Sequence, residues 1–300
     1  MKVAVTGASG FIGRYLIAAL DARGDDVVAL TRAPGPAIGA VPLRPTDYEE
    51  ADLAAALAGV DAVVHLAGRR TLREDPPLRL GPFIDPNLAM LDRLLGAARQ
   101  AGVDAFVFAS TTAVYSKANT APYRESEPAR PLNPYALSKL MGEAMLDLTA
   151  RNAGMRATAL RLAAAYGHGE RISAVMMRFI DDAMHGRRLT IRGSRDMPVE
   201  QLYVRDIVAG LLAALAPGAP GGVFNIGPGR ADTLGAMAEA ANAAFGNAGN
   251  LAFEGPKTAP VAPRFMDVSL ARSALGWAPE WDMTRALADF AARARAEVTG

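Results

Sequence analysis

The chain has 300 residues, 51% of them hydrophobic and 21% charged, which is typical of a folded globular protein with one large domain or two smaller ones. Its 32 Lys and Arg residues nearly balance 31 Asp and Glu residues and form no basic run, so neither nucleic acid nor an anionic membrane surface is expected as a partner. Cysteine is absent and the three His residues are scattered, so disulfides and Cys nucleophiles are excluded and no metal site is predicted.

The longest uncharged stretch runs from Ile207 to Gly229 and has the length of a membrane span. Its Pro and Gly residues divide it into a predicted helix, a turn and a strand. At the N-terminus Lys2 precedes an apolar stretch that glycines interrupt, and no cleavage region of a signal peptide follows. A soluble cytoplasmic protein is therefore expected.

The first half of the chain alternates short apolar runs with helical patterns. The predicted strands are Val3–Val5, Val27–Leu30, Ala62–Leu66, Ala105–Ala109 and Thr158–Leu162, with a weak one at Val41–Leu43. The predicted helices are Ile12–Arg23, Tyr48–Ala58, Asn87–Ala101 and Pro134–Asn152. Continuous apolar strands that alternate with helices predict an α/β fold with a doubly wound parallel sheet, which binds ligands at the carboxyl ends of its strands.

The second half is less regular, with several Pro-Gly turn signals. Helical patterns recur at Ile172–Met184, Arg205–Leu215, Leu234–Phe245 and Thr284–Ala296. We therefore expect a sheet domain over residues 1–165 and a smaller, mixed, mainly substrate-binding lobe over residues 166–300, with some later segments returning to the first domain.

A glycine-rich turn, G-x-x-G-x-x-G, connects the first strand to the first helix. Glycines let the backbone approach a pyrophosphate closely, and the positive end of the helix dipole stabilises its charge. A purely structural turn is the alternative. The predicted dinucleotide contacts in this turn are Gly7, Ser9, Gly10, Phe11, Ile12 and Gly13.

Tyr135 and Lys139 form a Y-x-x-x-K pattern at the start of a predicted helix, for which Asn133 is the expected N-cap and Pro134 the first residue. The two side chains should lie one turn apart on one face. A nearby ammonium group is expected to lower the pKa of the phenol, so that Tyr135 can exchange a proton near neutral pH. An ordinary i,i+4 surface contact is the alternative.

Hydroxyl residues end the strand that begins at Ala105. Ser110, Thr111 and Thr112 lie at its carboxyl end, where a hydroxyl can hydrogen-bond the substrate oxygen that Tyr135 protonates. Ser and Thr are also common turn formers, which is the alternative interpretation.

Together these motifs resemble the extended short-chain dehydrogenase/reductase family, in its NAD(P)-dependent epimerase/dehydratase branch, over nearly the whole chain. Matching segments include DAVVHLAG at 61–68, RLAAAYGHG at 161–169, YVRD at 203–206 and FNIG at 224–227. The resemblance implies a Rossmann-type domain, a bound nicotinamide dinucleotide, and a catalytic set of Thr111, Tyr135 and Lys139. In that set Tyr135 is the acid/base, and Lys139 binds the nicotinamide ribose and tunes Tyr135.

The resemblance also implies further cofactor contacts. Asp47 corresponds to a residue that contacts the adenine, and Asn87, which opens its helix, is a further predicted cofactor contact. The third strand ends in the remaining predicted contacts, which are Leu66, Ala67 and Gly68.

The chain departs from the family pattern at two positions. Ala164 stands where members acting on nucleotide sugars usually carry Asn, and Val199 stands where they carry an Arg that grips the substrate pyrophosphate. Arg69, Arg70, Arg73 or Arg195 could take over that role. A solvated basic loop is the alternative for the first three, and a surface charge is the alternative for Arg195. The predicted substrate contacts are Arg69, Thr112, Ala164 and Arg195.

The predicted activity is hydride transfer at a sugar carbon, most simply C4 of a nucleotide-activated hexose. Transient oxidation and reduction would make the enzyme a 4-epimerase, and a single reduction would make it a 4-ketoreductase. Two alternatives stay open: an NADP-dependent dehydrogenase or reductase of a smaller, phosphate-free sugar or alcohol, and a non-catalytic dinucleotide sensor.

The strand Val27–Leu30 predicts the type of dinucleotide. An NAD-type site places an acidic residue just after this strand, whereas here Thr31 and Arg32 follow it. Arg32 could pair with a 2′-phosphate, so NADP(H) is favoured and NAD(H) is possible.

The resemblance also implies a homodimer, in which helices 87–101 and 134–152 pair with their copies. Both helices carry more apolar residues than one buried stripe requires.

Overall fold

The computed structural model describes residues 1–72, 74–75, 77–170, 175–255 and 261–299. The strands are β1 (Lys2–Thr6), β2 (Asp26–Thr31), β3 (Leu43–Pro45), β4 (Ala62–His65), β5 (Ala105–Thr111), β6 (Arg156–Leu162), β7 (Ala164–Tyr166), β8 (Leu189–Arg192), β9 (Pro198–Val199), β10 (Gln201–Tyr203), β11 (Gly222–Ile226), β12 (Asp232–Thr233) and β13 (Leu251–Glu254).

The helices are α1 (Phe11–Ala22), α2 (Glu50–Ala56), α3 (Gly81–Phe83), α4 (Met90–Gln100), α5 (Pro134–Ala153), α6 (Val175–Met184), α7 (Val204–Leu215), α8 (Leu234–Ala244), α9 (Ser269–Leu275) and α10 (Met283–Thr299). A π-helical turn, Ile84–Ala89, joins α3 to α4, and a 3₁₀ turn, Thr112–Val114, follows β5. No helix within the described ranges combines the length and apolar character that crossing a bilayer requires.

A seven-stranded sheet, with every neighbouring pair parallel, forms the centre of the molecule. Its strand order is β11-β6-β5-β4-β1-β2-β3. The order reverses between β1 and β4, and the loops that follow these two strands therefore diverge and leave a crevice at their carboxyl ends. This architecture confirms the predicted doubly wound α/β fold.

Side chains alternate across the sheet and fill two hydrophobic layers. Val107 of β5 packs in one layer with α1 and α7, whereas Phe106 and Phe108 pack in the other with α2, α4 and α5. Both faces of the sheet are covered, which explains why its strands are continuously apolar rather than alternating.

The smaller lobe has a separate core, to which Met176, Phe179 and Ile180 of α6 and Leu287 and Phe290 of α10 contribute. Three two-stranded ribbons surround this core: β10 with β7, β12 with β9, and β13 with β8. Strand β11 lies beyond the lobe's first elements in sequence and pairs with β6 at the edge of the main sheet. The boundary near residue 165 stays a prediction.

The main strands and helices lie close to their predicted positions, and three segments differ. The weak strand predicted at Val41–Leu43 is wrong, since β3 begins at Leu43 and Val41 forms only an isolated bridge. Helix α2 begins after Tyr48, because the left-handed φ of 61° at that residue cannot continue into a helix. Asn87 does not open α4, because it lies inside the preceding π-helical turn. The predicted start of α6 at Ile172 is outside the described residues.

Candidate active site

A cleft of about 510 Å³ lies at the carboxyl ends of the central strands. The glycine-rich turn, the end of β5, the first turns of α5 and the loop after β4 line it on the sheet side, and the segment from Leu162 to Ala165 lines it toward the lobe. The cleft therefore occupies the position at which doubly wound sheets bind ligands.

The glycine-rich turn has no space for side chains at two of its glycines. A Cβ at Gly7 would lie 2.8 Å from the Ala67 nitrogen, and one at Gly13 would lie 2.7 Å from the Ala8 carbonyl oxygen. The N-cap of α1 is Gly10, which has no side chain, so no side chain of the N-cap occupies the amides of the first helical turn. These N–H groups at the positive end of α1 fit the pyrophosphate of a dinucleotide.

A second pocket of about 70 Å³ adjoins the cleft at Gly68 and is lined by Arg32, Asp47 and Ala67. Beside it the Ser9 hydroxyl lies 2.9 Å from the hydroxyl of buried Thr31 and links the glycine-rich turn to the end of β2. The structure thus brings the predicted adenosine contacts together. The two pockets share Gly68 in their linings.

Helix α5 and strand β5 position the predicted catalytic side chains. The Asn133 carboxamide accepts a hydrogen bond from the Ala136 amide at 2.8 Å and caps α5, with Pro134 as its first residue. The helix thereby directs Tyr135 and Lys139 into the cleft, which Thr111 enters from the end of β5. The Lys139 ammonium group donates to the Ala109 carbonyl at 2.8 Å and lies 4.8 Å from the centre of the Phe108 ring.

Burial raises the pKa of Tyr135 above its ordinary value, and the Thr111 hydroxyl and the charge of Arg70 partly offset this shift. The predicted lowering of this pKa by Lys139 is therefore wrong for the protein without its cofactor. The reason is that desolvation of the phenolate dominates. Tyr135 is consequently protonated at neutral pH and is a proton donor in this state.

Burial also shifts the pKa values of Lys139 and of the nearby His65. Desolvation lowers the pKa of Lys139 to about 8, and the carboxylate of Glu143 opposes that shift. His65 is buried next to the Thr6 hydroxyl at 2.7 Å, and its pKa falls to about 3, so it is neutral. His65 packs inside the protein, where its ring stacks on Phe108 at 5.8 Å.

Asn87 fastens the loop after β4 to α5. Its side chain accepts from the Arg69 amide at 2.6 Å and donates to the Arg69 carbonyl at 3.1 Å and to the Ser138 hydroxyl at 2.9 Å. A Cβ at Gly68 would lie 3.1 Å from the Asn87 oxygen, so this buried amide lies directly behind the cleft wall.

The predicted substrate contacts separate into two groups. Arg69, Thr112 and Ala164 line the cleft. Arg195 does not line it, because its guanidinium pairs with Glu239 at 3.0 Å and lies over the Phe253 ring. Arg70 also lines the cleft, whereas Arg73 is outside the described residues.

Two acidic residues at the site were missed from sequence. Glu170 lines the cleft and pairs with Arg70 at 3.1 Å, and its position directly after the motif at 161–169 is the signal that could have found it. Glu200 accepts from the Met266 amide at 2.9 Å and interacts with Thr112, and burial raises its pKa to about 7. Its only sequence signal is its place beside Val199. Within the described ranges, no group of three or more His, Asp or Glu residues could hold a metal ion.

A dinucleotide-shaped cleft that contains a Thr-Tyr-Lys set is characteristic of an oxidoreductase-type enzyme. The model of the NAD dependent epimerase/dehydratase family matches residues 3–227. The chain belongs to this family, as the resemblance predicted.

Known proteins similar to this chain are enzymes of the same kind. It is 31% identical to a UDP-glucose 4-epimerase of Azospirillum brasilense, over 94% of this chain and 88% of the relative. It is 34% identical to a dTDP-glucose 4,6-dehydratase of Streptomyces griseus, over 81% and 79%. The crystal structure of UDP-N-acetylglucosamine 4-epimerase from Bacillus cereus superposes with a TM-score of 0.88 at 32% identity, over 98% and 99% of the two chains.

Gly13→Ala should weaken NAD binding by about tenfold or more, because the added Cβ forces the turn away from the start of α1. Titration calorimetry with NAD measures the effect. Gly96→Ala is the matched control, since a Cβ there meets nothing within 4 Å and α4 should gain stability. Equal NAD affinity in the wild type and Gly13→Ala would contradict the assigned pyrophosphate site.

Proposed function

We propose that the protein catalyses hydride transfer at C4 of a nucleotide-activated hexose, as a 4-epimerase or a 4-ketoreductase. The observation that carries the proposal is the Tyr135 phenol beside Thr111, in a cleft continuous with the glycine-rich turn. The names of the similar proteins, which are nucleotide-sugar epimerases and a dehydratase, support the substrate class.

Each side chain has a role in this reaction. Thr111 hydrogen-bonds the reacting sugar oxygen, and Tyr135 exchanges a proton with the same oxygen. Lys139 would hold the nicotinamide ribose, and the turn from Gly7 to Gly13 the pyrophosphate. When bound, the nicotinamide supplies the hydride chemistry, which no side chain of this protein can provide.

The carboxylates of the cleft favour epimerisation or ketoreduction over dehydration. Eliminating water from a sugar requires an additional acid/base group to take a carbon-bound proton and release hydroxide as water. The residues directly after Thr111 are Thr112 and Ala113, and neither side chain can exchange a proton near neutral pH. Glu170, the carboxylate among the described lining residues, pairs with Arg70, and Glu200 lies outside the lining, where it accepts from the Met266 amide and interacts with Thr112.

A smaller, phosphate-free substrate is the second candidate. It is favoured by the exposed methyl group of Ala164 in the cleft and by Val199, since neither side chain can bind a pyrophosphate. In addition, Arg69 and Arg70 already pair with Asp75 and Glu170. Mass spectrometry of ligands released from the purified protein by denaturation distinguishes the two, because only a nucleotide sugar carries a base and a diphosphate. The presence of Thr111, Tyr135 and Lys139 together in the cleft argues against a non-catalytic sensor, and a cytoplasmic location stays a prediction.

Tyr135→Phe should lower kcat by about a hundredfold or more with the dinucleotide affinity unchanged, because the variant loses the transferable proton and keeps the ring. Epimerisation of UDP-sugars is followed by proton NMR, and reduction of 4-keto sugars by loss of reduced-nicotinamide absorbance. Tyr123→Phe is the control, since this buried ring packs on Tyr115 outside the cleft lining. Near-full activity of Tyr135→Phe would remove Tyr135 from the mechanism.

The family is NAD-dependent, and we propose that this member prefers NADP(H). Support comes from the small pocket beside Gly68, where Arg32 is exposed and directly follows Thr31 at the end of β2. Asp47 lines the same pocket, and its carboxylate would repel a phosphate rather than attract one, so the preference depends on Arg32. The Asp47 carboxylate accepts from the Glu49 amide at 2.9 Å.

Arg32→Ala should weaken NADPH binding by about tenfold or more and leave NADH binding nearly unchanged, because a charge-assisted bond to phosphate contributes about 1.5–3 kcal/mol. Fluorescence titration of cofactor-stripped protein measures both affinities. Arg44→Ala is the matched control, since that arginine pairs with Asp52 and lines neither pocket. Tighter binding of NADH than of NADPH by the wild type would refute the preference.

We further propose a homodimer built on α5 and its copy. Leu137, Met141 and Leu148 are 39–59% exposed and lie on the surface of this helix, and exposed Ile84 precedes α4. Apolar side chains at such spacing are suited to helix–helix packing across a two-fold axis.

Leu148→Glu should convert the dimer to a monomer, because it places a charge in the apolar centre of the helix pair. Light scattering at micromolar concentration gives the mass. Leu270→Glu, at another exposed leucine on α9, should leave the dimer intact. A monomeric wild type would contradict the proposal.

A further inference from the structure

A charged pair is buried behind the cleft, between α5 and β6. The Arg161 guanidinium donates to both carboxylate oxygens of Glu143, with the shortest separation 2.7 Å, and each side chain is only 6% exposed. Removing two ions from water costs several kcal/mol each, so such a pair is weak evidence for stability on its own. Neither residue lines the cleft.

The contacts of Glu143 connect this pair to the catalytic face, by which we mean the side of the cleft formed by Thr111, Tyr135 and Lys139. Glu143 lies one helical turn after Lys139 on the buried side of α5 and accepts a hydrogen bond from the Ser110 hydroxyl. Ser110 stands between Ala109, whose carbonyl accepts from the Lys139 ammonium group, and Thr111. One carboxylate therefore ties the helix that carries Lys139 to the strand end that carries Thr111.

Arg161 is itself held in one orientation. It donates to the Tyr115 hydroxyl at 2.8 Å and lies 5.0 Å from the centre of the Tyr115 ring, and that hydroxyl in turn donates to the Asn225 side chain at 2.9 Å. The pair with Glu143 raises the pKa of Arg161 beyond its ordinary value. The cation is thus permanent.

Several titratable or charged groups surround Lys139. Tyr135 and Glu143 lie on its own helix, His65 lies on β4, and Arg69 and Arg70 lie on the loop after β4. The imidazole and the phenol are neutral at working pH, and the two arginines are cations that pair with Asp75 and Glu170. Glu143 is the anion that stabilises the charged form of Lys139 against burial.

We propose that Glu143 is a positioning residue, held by Arg161, that keeps the Lys139 ammonium group directed at the Ala109 carbonyl. The inference depends on the proposed function only in that the proposed function uses Lys139 to hold the nicotinamide ribose. It assigns the buried pair a task that stability does not explain, since the Glu143 carboxylate ties the helix that carries Lys139 to the strand end that carries Ala109 and Ser110.

Competitive acetylation with a small anhydride, followed by mass spectrometry across a pH series, measures the titration midpoint of Lys139 without substrate or cofactor. Lys2 and Lys117 serve as internal references in the same digest. The wild-type midpoint should lie near 8. Glu143→Gln should lower it by about one unit or more, whereas Glu143→Asp, which retains the charge, should keep it near the wild-type value.

Glu143→Gln leaves the Arg161 charge buried without a partner and could prevent folding. The double variant Glu143→Gln/Arg161→Met removes both charges and should show the same lowered midpoint. Asp147→Asn is the matched control, because its carboxylate pairs with Arg151 at 2.8 Å on the exposed side of the same helix. It should leave the midpoint unchanged.

In turnover assays, the alkaline limb of the pH profile should move to lower pH by the same amount in Glu143→Gln or the double variant. An unchanged Lys139 midpoint in the folded variants, or an equal drop in Glu143→Asp and in Asp147→Asn, would overturn the inference. A lowered midpoint together with no activity on any sugar nucleotide would support the inference and reject the proposed function.

Discussion

The close approach of α5 to β5 at Gly142 determines the geometry of the site. A Cβ at this position would lie 2.7 Å from the Phe108 ring and 3.1 Å from Leu91, so any other residue requires the helix or these side chains to shift. A glycine inside a helix costs about 0.5–1 kcal/mol relative to alanine. In return Tyr135 and Lys139 reach the same cleft as Thr111, and the Lys139 ammonium group lies against the Phe108 ring and the Ala109 carbonyl.

The same packing makes the catalytic face a region of low dielectric constant, in which the protonation of each group depends on its neighbours. His65 and Tyr135 stay neutral because the cost of desolvating their charged forms exceeds what their neighbours compensate. Lys139 retains its charge into neutral pH because a carboxylate lies one turn away. A phenol that is protonated at rest can donate its proton.

Features carried by local sequence were predictable. The glycine-rich turn requires a strand-to-helix connection, and the Tyr135–Lys139 spacing requires a helix. Their places in the fold could therefore be predicted from the sequence. The pKa of Tyr135 was predicted with the wrong sign, because spacing on a helix reports proximity and not depth of burial. Arg195 and Glu170 depended on long-range contacts, to Glu239 and Arg70, and strands of two or three residues such as β9 and β12 are too short to show a period.

Strand β11 comes late in the sequence yet pairs with the main sheet, and this order affects both folding during synthesis and the behaviour of truncated fragments. Until residue 226 has been made, β6 is an open edge with unpaired amides and carbonyls, flanked by the apolar side chains of Leu160 and Leu162. Such an edge is a template for pairing with other chains. A fragment that stops near residue 165 would retain the glycine-rich turn and the catalytic side chains and yet be prone to aggregation, so the nucleotide-binding half cannot be separated from the rest by simple truncation.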